Sequence, residues 1–404
     1  MRIGIDLYSF RPTSSDGVST FSLGLAVGLS ECIRGKGSVV ILTSAKNDKQ
    51  LRERLDADSF DFFCVPVSIF ARYINRIMWL LSFCFKIYRI RYWYERSFRT
   101  RLSRKIEEHV DALIVPTTVF NFFDLVIPTI LCVHDIQQEF MPENFTLHQH
   151  ALRWGSYRLS CDRATEIQVS SRYIKNCLLE KFNFLNEGKI FMAPEGVDRS
   201  KFSPESPDAR PNFFPSANAE KFVFYPAQIW KHKNHAYLID ALVEYKHRMG
   251  KEFACVLTGG DYGYWKALAE LISQSGLNEV VYLGRVDMTE LLWIYKNCAA
   301  VLALGLHESS SLPIREGATF GKPLICIDIE PNLEAREYLN INVVNHDNHE
   351  DLVDILIQLE SDDSSLRKVA LGNLERLKKL EWSTIAHTYL DRISIINSSN
   401  HATL

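Results

Sequence analysis

The sequence predicts an α/β protein made of two doubly wound, Rossmann-like domains that face a cleft. Short apolar runs that fit buried parallel strands alternate with segments whose apolar residues recur at helical spacing. This alternation occurs in two successive series, separated by a stretch rich in proline. The length of 404 residues is also well over that of a usual domain, roughly 150 residues. We therefore expect two domains, each with its own parallel sheet.

The first series starts at the amino terminus. After the first strand-like run, a turn at Gly17 precedes apolar residues at helical spacing from Val18 to Ile33. No long apolar leader precedes the first strand, so we do not expect secretion. The strand-like runs are Arg2 to Tyr8, Ser38 to Thr43, Ala112 to Val115, Thr129 to Val133 and Glu166 to Val169.

The second series follows four prolines between Pro204 and Pro215. Its strand-like runs are Phe222 to Tyr225, Phe253 to Thr258, Val280 to Leu283, Ala299 to Ala303 and Leu324 to Ile327. The predicted organisation is a first domain over 1–200 with an insertion at 69–105, a linker over 201–218, a second domain over 219–385, and a helix and tail over 386–404.

The overall composition is that of an ordinary globular protein. Hydrophobic residues make up 47% and charged residues 24% of the chain, enough to build large cores. The formal net charge of −3 gives no general reason to expect a nucleic-acid partner. The nine cysteines form no C-x-x-C pair. They fit buried thiols in a reducing compartment, neither a disulfide framework nor a zinc site.

One segment departs from this composition. Between Arg72 and Lys105 lie ten basic residues and a single acidic one, Glu95, interleaved with Trp, Tyr and Phe. The apolar stretch from Ile77 to Phe85 is too short for a membrane span of about 20 residues. The mixture is typical of a helix among lipid headgroups, so we predict peripheral contact with an anionic membrane surface. A surface helix pair packed on the domain is the alternative, and nucleic acid is less favoured.

Two glutamates, Glu308 and Glu316, are the most informative residues for chemistry. A helix is expected to begin near Pro313, which places Glu308 on the preceding loop and Glu316 in the first turns. Ser309 to Ser311 offer main-chain N–H groups between them. A helix N-terminus carries about half a positive charge, so the arrangement fits a diphosphate flanked by carboxylates that accept hydroxyls. The alternative is a helix cap whose acidic residues complement the helix dipole.

Other polar residues follow predicted strands, where parallel sheets gather ligands. His134 and Asp135 come directly after the fourth strand of the first series, and Lys231 and Lys233 follow the first strand of the second. We expect the imidazole of His134 to bind a sugar hydroxyl with Asp135 orienting it, and the lysines to meet a diphosphate. The alternatives are a loop histidine satisfied by its neighbours and solvated lysines.

The turn Asp16-Gly17-Val18 opens the first helix. A glycine here allows close approach of a ligand to the main chain, although a plain turn glycine is the alternative. No G-x-G-x-x-G pattern follows the first strand, which argues against a dinucleotide-binding oxidoreductase.

In their order, these motifs resemble retaining glycosyltransferases of the GT4 type, which have the GT-B fold. The resemblance runs from residue 1 to about 390, and Glu308 and Glu316 match the family's E-x7-E signature. Further matching motifs are Lys233-Asn-His235, Leu257-Thr-Gly-Gly260, Val281-Tyr-Leu-Gly284, Glu290-Leu-Leu with Tyr295, and Gly321-Lys-Pro-Leu324. In the first half, Asp16-Gly17-Val18, His134-Asp135 and Glu195-Gly-Val-Asp198 resemble the family's acceptor-domain loops.

The resemblance implies donor binding by the second domain. Lys233 would contact the diphosphate, Glu308 the hydroxyls of the transferred sugar and Glu316 the ribose. The main chain at Ser310, Ser311 and Leu312 would bind the phosphates. Gln228 stands where the family often has an arginine, so Lys231 is expected to supply that charge.

The resemblance also implies acceptor binding by the first domain. His134 would touch the donor sugar near the reacting carbon, which makes His134, Glu308 and Lys233 the expected catalytic residues. Gly17 would let its loop approach the phosphate, with Asp16 and Asp135 on acceptor-side loops. In this family the C-terminal helix crosses back onto the first domain.

The implied reaction transfers a hexosyl residue with retention of anomeric configuration, and the leaving diphosphate helps to remove the acceptor's proton. No D-x-D pair follows a strand near the motifs, so we expect neither a metal nor a cofactor.

The motifs His134-Asp-Ile-Gln137 and Met141-Pro-Glu-Asn144 look most like bacterial mannosyltransferases that build surface polysaccharide such as O-antigen. GDP-mannose is therefore the favoured donor, with a UDP- or dTDP-sugar as the alternative, and a lipid-linked glycan the expected acceptor. The expected location is the cytoplasm, at the inner face of the cytoplasmic membrane. Alternatives of another class are a nucleotide-sugar isomerase and a non-catalytic, membrane-associated scaffold.

Overall fold

The computed structural model describes residues 1–11, 17–56, 58–66, 77–78, 81, 84–87, 89, 92–93, 100–211, 221–361 and 365–402. Asp16 and most of the segment from Arg72 to Lys105 lie outside these residues. The chain forms two compact units: unit 1 is Met1–Gly196 with Trp382–Leu404, and unit 2 is Val197–Glu381. The boundaries predicted at 200 and 218 rest on proline spacing and the one at 385 on the predicted C-terminal helix, whereas the units are defined by packing.

Each unit is built around one parallel sheet, which confirms the predicted α/β class with two doubly wound, Rossmann-like sheets. The strands of unit 1 are β1 (Arg2–Asp6), β2 (Ser38–Thr43), β3 (Asp61–Cys64), β4 (Ala112–Val115), β5 (Thr129–Val133), β6 (Glu166–Val169) and β7 (Ile190–Met192). Those of unit 2 are β8 (Phe222–Pro226), β9 (Ala254–Thr258), β10 (Val280–Tyr282), β11 (Ala300–Ala303), β12 (Leu324–Ile327) and β13 (Asn342–Val344).

The strand orders are β3-β2-β1-β4-β5-β6-β7 and β10-β9-β8-β11-β12-β13. In both sheets the first and fourth strands of the unit are neighbours, and the chain proceeds outward from this pair in opposite directions. Such a switch point leaves a crevice at the carboxyl ends of the two strands, where doubly wound proteins bind ligands. The switch points of this protein are the β1/β4 and β8/β11 pairs.

The described helices of unit 1 that precede unit 2 in the chain are α1 (Gly17–Ile33), α2 (Asp48–Arg54), α3 (Thr100–His109), α4 (Leu147–Arg163) and α5 (Arg172–Lys181). Unit 2 contributes α6 (His235–Met249), α7 (Trp265–Gln274), α8 (Met288–Asn297), α9 (Leu312–Thr319), α10 (Glu330–Ala335), α11 (Glu350–Leu359), α12 (Ser365–Leu371) and α13 (Asn373–Arg376). The last helix is α14 (Trp382–Ala402). Within the described part of the chain, no helix combines the length and apolar character that crossing a membrane requires.

Helix α14 follows unit 2 in the chain but packs in unit 1 against α1. Glycines make room for its first residue, Trp382. A Cβ atom placed at Gly24, Gly28 or Gly196 would lie 2.2, 2.4 or 2.5 Å from atoms of Trp382. Only glycine leaves this space, so the close approach of α14 to α1 depends on the absence of side chains.

Contacts with unit 1 continue along α14. The guanidinium Nε of Arg392 donates to Oε2 of Glu166 at 2.7 Å, and Tyr389 packs edge-to-face on Phe191 with ring centroids 5.7 Å apart. Tyr389 is fully buried. The helix is therefore part of the core of unit 1 and not a surface appendage.

Replacing Gly28 by alanine is expected to destabilise the protein. In an open helix the same change stabilises by about 0.5–1 kcal/mol, because glycine loses more backbone entropy on folding. Here the new Cβ would meet the main-chain oxygen of Trp382 at 2.4 Å, so we expect a net loss of about 1–3 kcal/mol from overpacking. Urea denaturation measures the change.

The matched control is Glu31→Ala, an exposed position on the same helix. It should alter the free energy of unfolding by less than about 0.5 kcal/mol. A gain of stability in Gly28→Ala would show that α14 does not pack as closely against α1 as described.

Candidate functional site

The switch point of unit 2 brings two loops together. One loop follows β8 and runs from Ala227 to Lys233, and the other follows β11 and runs from Leu304 to Ser311. They are joined by a main-chain hydrogen bond in which Leu306 N donates to His232 O at 2.9 Å. The charged residues that the sequence predicts for the second domain lie on these two loops and on α9. We call the two loops and α9 together the unit 2 site.

Lys233 and Glu308 form an ion pair across the loops. Lys233 Nζ lies 2.5 Å from Glu308 Oε1, and the two side chains are only 21% and 14% exposed. The hydroxyl of Tyr225 donates to Lys233 O at 2.5 Å and holds the loop in place. A Cβ atom at Gly305 would lie 2.3 Å from Glu308 Oε1, so glycine makes room for the carboxylate. Neither charge is left without a partner, as burial requires.

The backbone turn after Lys233 depends on Asn234. This residue has φ 58° and ψ 37°, in the left-handed region that asparagine tolerates better than most residues. It ends the 3-10 turn Lys231–Lys233 and lets α6 start at His235. Burial, followed by the charge of Lys233, lowers the pKa of His235 to about 4. The ring is therefore neutral near pH 7 and packs against Tyr225.

Glu316 lies in the second turn of α9. Its Oε2 accepts a hydrogen bond from the Tyr295 hydroxyl at 2.7 Å. Burial raises the pKa of Glu316, while the Tyr295 hydrogen bond and the charge of Lys201 act against that rise. The ring of Tyr295 is stacked on Phe320 and packs edge-to-face on Phe224. This aromatic packing fixes the hydroxyl that orients the carboxylate.

The N-terminus of α9 is organised by Arg315. This residue is 5% exposed, and its Nη1 donates to Ser310 Oγ at 2.6 Å and to Ser311 O at 3.2 Å. The residue before the helix, Ser311, makes no side-chain cap. The first main-chain N–H groups of a helix have no partner within it, so this end of α9 presents donors and partial positive charge.

Gln228 and Lys231 lie on the loop after β8. The side-chain oxygen of Gln228 accepts from Trp230 Nε1 at 2.9 Å, while Lys231 is exposed. Trp230 also stacks on Tyr262, with ring centroids 4.6 Å apart. Gln228 thus helps to hold Trp230 in its stack with Tyr262, and Lys231 gives the loop a solvent-exposed positive charge.

In unit 1, His134 is held by its own neighbours. Its Nε2 lies 2.7 Å from Pro116 O, and because a carbonyl only accepts, Nε2 carries a proton. Its Nδ1 lies 4.0 Å from Glu195 Oε1, and the ring meets Phe21 edge-to-face. The carboxylate that faces the imidazole is thus Glu195. The side chain of Asp135, expected in that position, lies 3.5 Å from Arg153 Nη1.

Gly17, which the sequence predicts to allow close approach of a ligand, is the first residue of α1. Asp16 lies outside the described residues.

Asp6, which the sequence reasoning missed, lies at the β1/β4 switch point of unit 1. It is 1% exposed and accepts from Tyr8 N at 3.0 Å and from Asn121 Nδ2 at 3.0 and 3.2 Å. Burial raises its pKa to about 6, against the lowering effect of Asn121 and Tyr8.

Sequence reasoning also gave no role to Gly305, Arg315 or Asn121, and it placed Glu195 only in a segment that resembles an acceptor-domain loop of the family. A sequence signal exists for the first two, because both lie within a few residues of the E-x7-E pair. Glu195 and Asn121 meet their partners only through the order of strands in the sheet. Neither contact follows from local spacing.

Comparison with solved structures shows that the fold is similar to that of GT-B glycosyltransferases. Anabaena Alr3699/HepE in complex with UDP and glucose is 16% identical, with a TM-score of 0.67 over 98% of this chain and 99% of that one. A glycosyltransferase from Rickettsia africae is 15% identical, with a TM-score of 0.66 over 98% of both chains. Sucrose-phosphate synthase from Thermosynechococcus elongatus is 13% identical, with a TM-score of 0.67 over 99% of this chain and 100% of that one.

A family model described as Glycosyl transferases group 1 matches residues 208–373. The matched segment includes Lys233, Glu308 and Glu316 of the unit 2 site. The chain therefore carries a glycosyltransferase group 1 domain in unit 2. No curated protein matches the sequence.

Replacing Asp6 by asparagine is expected to flatten the pH dependence of stability. The pKa of Asp6 is raised from 3.8 to about 6, so between these values the folded state binds a proton that the unfolded state has released. Stability contributed by this group is therefore present below pH 3.8 and falls as pH rises to about 6, by about 3 kcal/mol in total. Urea denaturation of both proteins at several pH values between 4 and 7 measures the difference in slope.

The control is Asp240→Asn, an exposed position on α6, which should keep the wild-type slope. Equal slopes for Asp6→Asn and the wild type would contradict the assigned titration.

Proposed function

We propose that the protein is a retaining glycosyltransferase that moves a hexosyl residue from a nucleotide diphosphate sugar to a glycan acceptor. The observation that carries the proposal is the Lys233–Glu308 ion pair beside the N-terminus of α9, at the switch point of the unit 2 sheet. The glycosyltransferase group 1 domain over residues 208–373 supports the same reaction class.

In this proposal Lys233 and the N-terminus of α9 hold the diphosphate. An ammonium suits a phosphate as a point charge, and unpaired N–H groups at a helix start bind anions. The main chain at Ser310, Ser311 and Leu312 supplies those groups, and exposed Lys231 adds charge. Together they stabilise the negative charge that develops on the leaving group, which is usually the largest catalytic contribution. Metal-independent transfer is part of the proposal.

The ion pair gives Lys233 and Glu308 a joint role. While they bind each other, Glu308 accepts from the ammonium. A diphosphate brings more negative charge than one carboxylate and competes for Lys233, so donor binding frees Glu308 to accept hydroxyls of the transferred sugar. Glu316, held by Tyr295, is proposed to accept the ribose hydroxyls.

The proposed chemistry keeps donor and acceptor on one face of the sugar. The bond from the anomeric carbon to the diphosphate oxygen breaks, and a bond from that carbon to the acceptor oxygen forms. The proton of the acceptor hydroxyl passes to the leaving diphosphate. His134 stays the predicted catalytic residue of unit 1, with Nε2 bound to Pro116 O.

GDP-mannose is the favoured donor in this proposal, since the loops around His134 look most like those of bacterial mannosyltransferases that build polysaccharide. A UDP-sugar is the second candidate. It is favoured by the fold similarity to Anabaena Alr3699/HepE, whose structures hold UDP, UDP with glucose, or UDP-glucose. A dTDP-sugar is the remaining alternative.

The proposed acceptor is a lipid-linked glycan of bacterial surface polysaccharide or O-antigen, and the proposed location is the cytoplasm at the inner face of the membrane. The segment from Arg72 to Lys105 supports this. Among its described residues, Ile77, Phe85 and Trp93 expose 58%, 65% and 59% of their surface. Large exposed apolar side chains within a basic segment favour insertion among anionic lipid headgroups.

The proposed reaction is tested by separating binding from transfer. Lys233→Met is expected to weaken nucleoside diphosphate binding and to lower transfer by roughly 100-fold or more, because it removes charge stabilisation. Glu308→Gln is expected to lower transfer by a similar factor yet to bind the nucleoside diphosphate at least as tightly as wild type, since the competing carboxylate is gone. Calorimetry measures binding, and product analysis with GDP-mannose, UDP-glucose or dTDP-glucose and a lipid-linked glycan measures transfer.

Lys266→Met and Glu270→Gln, both exposed on α7, are the matched controls and should keep wild-type rates. Wild-type transfer in Lys233→Met and Glu308→Gln would contradict the proposal. Product formed without any acceptor would identify an isomerase, and failure of the wild type to bind any nucleotide sugar would identify a scaffold. Transfer from UDP-sugars alone would reject GDP-mannose.

Membrane contact is tested by vesicle flotation. The protein is expected to float with vesicles that contain anionic lipid and to remain unbound with neutral vesicles. Replacing both Phe85 and Trp93 by serine should weaken flotation by roughly tenfold, because apolar burial is lost. Val126→Ser, at an exposed apolar position outside the segment, should have no effect. Absence of flotation with both kinds of vesicle would reject membrane contact.

A further inference from the structure

Unit 2 has a cavity at the amino ends of its strands, at the end of the sheet opposite the Lys233–Glu308 pair. Its volume is about 440 Å³, which lies within the range of small-molecule sites. The lining comes from Lys221 before β8, the turn between α8 and β11, the turn between α9 and β12, and α12. These segments meet at the amino ends of β8, β11 and β12, so we call the cavity the rear pocket.

The rear pocket is cationic. Lys221, Lys322 and Arg367 line it, and none of its ten lining residues, all of which the structure describes, is acidic. All three cations are half-buried. Lys221 Nζ donates to the main-chain oxygen of Glu360. Burial raises the pKa of the lining Cys298 thiol to about 12, so this residue adds no negative charge near pH 7.

An anion with several oxygens suits this lining, because lysine and arginine bind phosphate through charge-assisted hydrogen bonds. Phe320, Pro323 and Leu371 give the pocket an apolar wall beside the charges. This mixture fits a phosphorylated small molecule that carries a ring or another apolar part.

The rear pocket also touches the support of the unit 2 site. Phe320 lines the pocket and stacks on Tyr295, with ring centroids 5.7 Å apart and an angle of 4° between the planes. The hydroxyl of Tyr295 donates to Glu316 at 2.7 Å. A ligand that shifts Phe320 would therefore shift the hydrogen bond that orients Glu316.

We propose that the rear pocket binds a phosphorylated small molecule, and that its occupancy changes the affinity of the unit 2 site for the donor nucleotide through Phe320 and Tyr295. The binding part stands on the pocket alone. The coupling part rests on the proposed function of the unit 2 site.

Binding is tested by calorimetry with inorganic pyrophosphate on full-length Lys233→Met, in which the proposed diphosphate contact of the unit 2 site is removed. Adding Lys322→Gln or Arg367→Gln to this protein should weaken pyrophosphate binding by about tenfold each, because each removes a charge-assisted contact. Adding Lys368→Gln, an exposed lysine on α12 that does not line the pocket, should leave binding unchanged. Equal binding in all these proteins, or none in any, would reject the site.

Coupling is tested on proteins with Lys233 intact. The dissociation constants of GDP and UDP are measured with and without pyrophosphate at constant ionic strength, in the wild type and in Arg367→Gln. Direct competition by pyrophosphate at the unit 2 site would change the dissociation constants of GDP and UDP equally in both proteins, whereas coupling through the rear pocket would change them only in the wild type. We expect the pyrophosphate-induced change in dissociation constant to differ between the two proteins by about fivefold or more, a usual size for linked sites.

Tyr295→Phe leaves the pocket lining intact and removes the hydroxyl that donates to Glu316, so it should keep pyrophosphate binding and abolish that difference. Identical pyrophosphate effects in wild type and Arg367→Gln would reject the coupling while leaving the binding result intact. Failure of the unit 2 site to bind GDP or UDP in the absence of pyrophosphate would count against the proposed function and not against the rear pocket.

Discussion

The parallel pairing of β8 with β11 decides where the charged residues of unit 2 meet. Val223 pairs with Ala300 and Phe224 with Val301, so the segments that follow the two strands leave the sheet at the same end, where the strands have their carboxyl ends. Lys233 and Glu308, separated by 75 positions, reach each other for this reason. A slip of one residue would turn every side chain of a strand to the other face. The ion pair, the start of α9 and the position of Glu316 all depend on this register.

Burial then sets how each charge is satisfied. Lys233 and Glu308 neutralise each other, Glu316 accepts from Tyr295, and Arg315 donates to Ser310 and Ser311. An unpartnered charge in such surroundings would be costly. The contacts of Glu316 and Arg315 also fix these two side chains before a ligand arrives, because packing and hydrogen bonds already hold them. Preorganised dipoles and charges need no rearrangement when negative charge develops.

The apolar runs predict ten of the thirteen strands in the described part of the chain. The three that they miss, β3, β7 and β13, all lie at the edges of their sheets. Lys233, Glu308 and Glu316 could be selected because their motifs are local, although their roles stay predictions. Asp6 escaped notice, and the contact of Glu195 with His134 was not foreseen, since both are buried against residues brought near by strand order. Periodicity reports which face of an element is apolar and carries no information about such distant pairs.

The position of α14 in unit 1 has a consequence for the order in which the chain acquires structure during synthesis. Domains generally fold as units while the ribosome extends the chain. Unit 2 is continuous and is complete once Glu381 has emerged, but unit 1 still lacks Trp382 and Tyr389 of its core at that moment. The groove lined by Gly24 and Gly28 stays open until α14 is made. The half that is translated first is therefore the half that matures last.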